Sequence, residues 1–67
     1  MNKQLTCREI QVLKLVAAGR SNLQVAEALN VSQRTVEGHR SRVMIKLDLK
    51  GLVGLVRYAI RERLIDP

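Results

Sequence analysis

Residues 32–50 carry Arg34, Arg40, Arg42, Lys46 and Lys50 against Glu37 and Asp48, a local net charge of +3. Guanidinium and ammonium groups at this density suit phosphate oxygens, which they meet through charge-assisted hydrogen bonds. Other reactive side chains are sparse. His39 is the only histidine and Cys7 the only cysteine. One of each is too few for a zinc site, and an internal disulfide is impossible. No nucleophile–base pair, paired carboxylates or phosphate loop accompanies His39. Gly51-x-x-Gly54 is too short a pattern for a nucleotide site. An enzyme is therefore not expected, nor a cofactor or metal. His39 reads as a packing residue that hydrogen-bonds across the two-helix motif to which it belongs. Cys7 fits either a redox thiol or, better, an inert small residue.

The whole chain of 67 residues carries twelve Lys and Arg against six Asp and Glu, a formal +6. That charge calls for a polyanion, either a nucleic acid or an anionic membrane surface. Tyr58 is the only aromatic residue, which disfavours single-strand binding through stacked bases. Neither a signal peptide nor a membrane-length apolar run is visible, so a cytoplasmic protein with no membrane partner is expected. The length suits one domain over 1–67, and a domain so small buries only roughly 60% of its unfolded surface.

Four helix-sized segments must position the basic residues. Thr6-x-x-Glu9 is a capping box, flanked by Leu5 and Ile10 at staple positions. Ile10, Leu13, Val16 and Ala17 follow at helical spacing with Val12 beside them, and Gly19 stops the run, predicting a helix over 7–18. Ser21-x-x-Gln24 is a second capping box; Val25, Ala26 and Leu29 predict a helix over 22–29, closed by Asn30. Ser32 caps a third over 33–47, with Val36, Val43, Met44 and Leu47 inward. The fourth, over 52–64, has a stripe of Leu52, Leu55, Val56, Ala59 and Ile60, with Leu64 and Ile65 packing at its end and Asp66-Pro67 terminating the chain. Val53, Arg57 and Tyr58 are left over from that stripe. No strand pattern competes, so the fold class is all-α, a compact four-helix domain.

The short second segment, the break at 30–32 and the longer third have helix-turn-helix proportions. Ala26 permits close approach, Val31 plugs the corner and Val36 packs back. Residues 34, 37, 38, 41, 42 and 45 then project away from the apolar side, where they could enter the major groove of double-stranded DNA with the N-terminal residues leading.

The run Leu5-Thr6-x-Arg8-Glu9-x-x-Val12-Leu13, Gly19-x-Ser21-Asn22, Val25-Ala26-x-x-Leu29 and Val31-Ser32-x-x-Thr35-Val36-x-x-His39-Arg40-Ser41-x-Val43-Met44-x-Lys46-Leu47 closely resembles the LuxR/GerE-type DNA-binding domain of bacterial transcription regulators. The resemblance spans residues 5–65. It implies sequence-specific binding of double-stranded DNA that regulates transcription, with the second and third helices as the motif and the fourth as a homodimer contact. It also implies that the domain usually lies behind a receiver or ligand-sensing domain. A chain of this length leaves no room for one, so an excised effector domain or a stand-alone regulator is expected, with RNA polymerase as a further partner and the nucleoid as the location.

The expected DNA contacts are Asn22, Gln33, Arg34, Thr35, Glu37, Gly38, Ser41, Arg42 and Lys46. Arg34 and Arg42 can pair with guanine or clamp phosphate; the alternative is a solvated basic face. Glu37 stands where the family often has Lys, and could accept from a cytosine amino group or merely repel phosphate. Gly38 disfavours a helix by roughly 1 kcal/mol relative to Ala, explained equally by close approach to DNA or by ordinary drift. Ser41 could meet base or backbone. By resemblance Thr35 contacts phosphate, with a local capping role as the alternative. Asn22 donates to phosphate or simply starts a helix. Arg40 snorkels beside the inner edge, and Lys46 and Lys50 add non-specific attraction. Asn30 and Asp48 stand where the family usually has Gly.

On the fourth segment, Val53, Arg57 and Tyr58 form the expected dimer surface by resemblance; from the residues alone, burial within the monomer fits as well. The competing functional readings are a protein-interaction module acting through the fourth segment and, within DNA binding, a sigma-factor promoter-recognition region, which His39-Arg40-Ser41 fits less well.

Overall fold

Hydroxyl caps start three of the four helices. In the computed structural model, which describes residues 5–65, the elements are α1 (Cys7–Ala17), α2 (Asn22–Leu29), α3 (Gln33–Lys46) and α4 (Gly51–Arg61). Thr6 and Ser21 each close a reciprocal capping box with Glu9 and Gln24, and Ser32 Oγ accepts from the Thr35 amide at 3.1 Å. The fourth helix has no side-chain cap.

All four helices stop in the same way. A left-handed residue follows each, namely Gly19, Asn30, Asp48 and Arg63. The next amide then reaches back five residues, from Arg20 to Leu15, Val31 to Ala26, Leu49 to Met44 and Leu64 to Ala59, at 2.8–3.1 Å. These bonds satisfy carbonyls that a helix end leaves orphaned.

Helix α1 is central and packs against each of the other three, while α3 lies across both α1 and α2. The core draws on Val12, Leu13, Val16 and Ala17 from α1, Val25 and Ala26 from α2, Val36 and Val43 from α3, and Leu55, Tyr58 and Ala59 from α4, with Leu5 beneath. Ala26 is buried between bulkier neighbours and Val31 packs on the rim, as a close helix-turn-helix corner requires. Among the described residues there is no strand, and no helix is long and apolar enough to cross a membrane.

Helices α1 and α3 end one residue before their expected limits. Helix α4 differs more. It starts at Gly51 and ends at Arg61, not 64, because the chain turns left-handed at Arg63. Its inner face is Leu55, Tyr58 and Ala59, an i, i+3, i+4 set. Leu52, expected in the apolar stripe, is instead 52% exposed. Leu49, just before the helix, packs on the core. Tyr58 is not left over: only 7% of it is exposed, and the Arg61 guanidinium lies over its ring, 5.5 Å from the centroid. Of the expected dimer surface, Val53 and Arg57 are exposed and Tyr58 is not. Leu64 and Ile65 pack against the core, whereas Asp66-Pro67 lies outside the described residues.

Removing the one aromatic side chain from so small a core should cost about 3 kcal/mol, whereas truncating Val53 should cost under about 0.5 kcal/mol. Urea unfolding followed by circular dichroism compares the two. Equal, small effects of Tyr58→Ala and Val53→Ala would place Tyr58 on the surface.

Candidate nucleic-acid interface

The outer face of α3 carries Gln33, Arg34, Glu37, Ser41, Arg42 and Ile45, all exposed. Their spacing repeats every three or four residues, so they line one side of the helix while Val36 and Val43 occupy the other. Ile45 is 78% exposed, an apolar side chain on an otherwise polar face. Gly38 lies half-buried within this face, and an added Cβ would meet only Arg42, its nearest contact being Nη1 at 3.7 Å. The protein's own packing therefore does not require glycine there.

Where α2 begins, a surface groove of about 450 Å³ is bounded by Asn22, Glu37, Arg40, Ser41, Met44 and Ile45. Arg40 Nη1 donates to Asn22 Oδ1 at 3.2 Å. Arg40, half-buried, thus bridges the two helices of the motif. The amide nitrogen of Asn22 keeps its donor capacity. Thr35 serves the local cap: its amide and hydroxyl both meet Ser32 Oγ, the hydroxyl at 2.9 Å.

Spacing marked Glu9 only as a capping residue and gave no sign of its bonds to α3. Glu9 completes the α1 capping box, with Oε1 accepting from the Thr6 amide at 2.9 Å. The carboxylate is also buried, only 2% of the residue being exposed, and it faces α3. Lys46 Nζ donates to Oε1 at 2.8 Å, and Arg42 Nε lies 3.4 Å from Oε2. Two of the expected DNA contacts are therefore drawn toward α1. Lys46 is half-buried against it, while the Arg42 side chain stays 55% exposed. His39 does not bond across the motif as expected. Its Nδ1 accepts from Arg42 Nη2 at 3.0 Å, one turn along the same helix. A guanidinium cannot accept, so the imidazole proton sits on Nε2.

These donors set the charge state of Glu9. The hydrogen bond from Lys46, then the Thr6 amide, the attraction of the Lys46 charge and the bond from Arg42 outweigh burial, and lower its pKa from 4.5 to about 2. Lys50, at the start of α4, is exposed.

An exposed polar helix laid across a capped partner, with a basic outer side, defines a helix-turn-helix protein. The family described as "Bacterial regulatory proteins, luxR family" matches residues 3–59, and the chain belongs to that family. The oxygen regulatory protein NreC of Staphylococcus haemolyticus is 47% identical over 64 residues, covering 96% of this chain and 30% of that protein. NreC of Staphylococcus carnosus is 45% identical over 62 residues, covering 92% and 29%. Full-length FixJ from B. japonicum, solved by crystallography, superposes with a TM-score of 0.83 at 38% identity, over 94% of this chain and 31% of that one. The chain thus spans under a third of the length of each of these relatives.

Because the folded pKa of Glu9 lies below its unfolded value, its ionised form stabilises the protein fully above about pH 4.5, and that contribution is lost as pH falls toward 2. Discounted for partly solvated partners, it amounts to about 2 kcal/mol. In urea titrations between pH 7 and pH 2, Glu9→Gln should lose about this much at pH 7 and most of the acid-side slope. An unchanged slope in the variant would assign the acid sensitivity to other carboxylates.

Proposed function

We propose that residues 1–67 form one LuxR-type domain that binds double-stranded DNA sequence-specifically, with α3 in the major groove, and so regulates bacterial transcription. The observation that carries this reading is the open outer face of α3. Helix α4 packs mainly on α1, leaving Arg34, Glu37, Ser41 and Arg42 exposed where a duplex can meet them. An α-helix fits a major groove, and its first residues lead. Gln33, Arg34 and Thr35 occupy that leading turn. Asn22 lies at the start of α2, where amides and helix dipole favour a phosphate. Lys46 contributes positive charge behind the contact face, tempered by Glu9. This work takes place in the cytoplasm at the nucleoid, with RNA polymerase and a receiver or sensor domain as further partners.

The exposed Leu52 and Val53 on α4, at 52% and 65%, with Arg57 beside them, favour a second role: pairing with another copy on DNA. The same patch would serve a pure protein-interaction module, which would retain no duplex even at low salt.

The test is a selection of duplexes from a random pool, followed by affinity measurements across a salt series. A steep fall with salt is expected from counterion release, and a palindromic site from a two-fold dimer. Arg34→Ala should weaken binding by roughly 1–3 kcal/mol while leaving stability within about 0.5 kcal/mol. Absence of any retained duplex sinks the reading.

Gly38→Ala provides a second check. It should stabilise the free domain by about 0.5–1 kcal/mol, since the added methyl has room. If the backbone approaches DNA closely at this point, affinity should nevertheless fall. Raised stability with unchanged affinity would assign Gly38 to drift.

A further inference from the structure

Arg42 is held on two sides. Its Nε lies 3.4 Å from Glu9 Oε2 and its Nη2 donates to His39 Nδ1 at 3.0 Å. Its guanidinium also lies against Gly38, which contributes no side chain; the nearest nitrogen would be 3.7 Å from a Cβ built there. An arginine has five N–H donors in a rigid fork. One N–H, on Nη2, is hydrogen-bonded and Nε is held in the ion pair, so three donors remain, both on Nη1 and one on Nη2, in a side chain that is 55% exposed. Arg34, on the same face, has no such support among the described residues. A lone mobile arginine answers any phosphate, whereas one fixed at two nitrogens presents its remaining donors in one direction. Fixing the donors beforehand lowers the entropy lost on docking and penalises a partner whose acceptors lie elsewhere.

We infer that Arg42 is the residue through which this domain discriminates between DNA sequences, and that Glu9 and His39 are the positioning residues that aim it. The inference rests on the DNA-binding reading above. Glu9 acts from α1, outside the motif, and touches no DNA. His39 supplies the acceptor that fixes the far side of the guanidinium. Ser41, beside Arg42, and Glu37, five residues before it, are exposed on the same outer side of α3.

The experiment compares the duplex selected by the unaltered chain with a scrambled duplex of the same composition, by fluorescence anisotropy over a salt series. Arg42→Ala should lower the affinity ratio by about tenfold or more, the scale of a lost bidentate base contact. His39→Phe removes an acceptor but no charge. It should lower the ratio by roughly fivefold, part of that same contact, with the salt slope unchanged. Glu9→Gln should lower the ratio comparably and steepen the slope by about one, because one negative charge is removed from beside the cations of α3. In the Arg42→Ala background His39→Phe should have no further effect, which a purely structural role for His39 would not produce. Equal losses from His39→Phe in both backgrounds, or a retained ratio in Arg42→Ala, overturn the inference while leaving DNA binding intact. A chain that retains no duplex overturns both. Should Glu9→Gln fail to fold, the His39 and Arg42 cycle decides alone.

Discussion

A carboxylate buried without partners costs several kcal/mol, so the position of Glu9 constrains everything that surrounds it. Its donors come from three places in the chain: the Thr6 amide ahead of α1, and Arg42 and Lys46 on successive turns of α3. The same side chain therefore starts one helix and fixes the rotation of another. The core needs such a device. Apart from Tyr58 its fully buried part is built from Val, Leu and Ala, whose packing contacts are non-directional and define the rotation of a helix less sharply than hydrogen bonds do. Directional bonds to a single buried group remove that freedom. At the other end of α3, Val36 is buried in the same core as Val25 and Ala26 of α2. Held at both ends from the inside, the helix is left with its outer face free.

The local features of this fold were legible in the chain because their partners sit three or four residues apart. Thr6 and Glu9, Ser21 and Gln24, and Ser32 announced three helix starts. Gly19 and Asn30 announced two ends, and the α2–α3 corner followed from Ala26, Val31 and Val36. What could not be read locally lies where distant segments compete. The capping role of Glu9 was visible, but its partners are 33 and 37 residues further on, and nothing in the first turn of α1 points to them. Helix α4 is apolar on most sides, so either of two overlapping stripes could have turned inward. Packing on α1, with Leu49 also reaching the core, selected the stripe of Leu55, Tyr58 and Ala59 and left Leu52 outside. The end at Arg63 had no sequence signal, since arginine seldom adopts a left-handed conformation. There the returning amide of Leu64 and the packing of Leu64 and Ile65 outweigh local preference.

The outer face of α3 was legible as a set of positions, while the bonding of its members was not. Arg40, expected to lie along an apolar edge, reaches Asn22 across the motif. His39, expected to reach across, bonds within its own helix. Both reversals follow from length: an extended guanidinium spans the gap between α2 and α3, and an imidazole at i meets a long side chain at i+3 more readily.

These bonds change what the charge of the region means. Counting residues 32–50 alone gives +3, but the Glu9 carboxylate folds against them and brings the surface to +2 (3 − 1). Arg42 and Lys46 are the cations it tempers. For a protein that must find one site among a large excess of others, stronger general attraction to phosphate is no advantage, because it raises affinity for every competitor equally. Under the DNA-binding reading, moderating the charge of two side chains while fixing the direction of one exchanges general attraction for discrimination. A helix whose cations were all mobile would hold DNA more tightly and distinguish sequences less well. Under that reading the buried carboxylate on α1 connects the stability of the domain to its selectivity, since the contacts that position α3 in the fold would also aim the side chain that α3 presents.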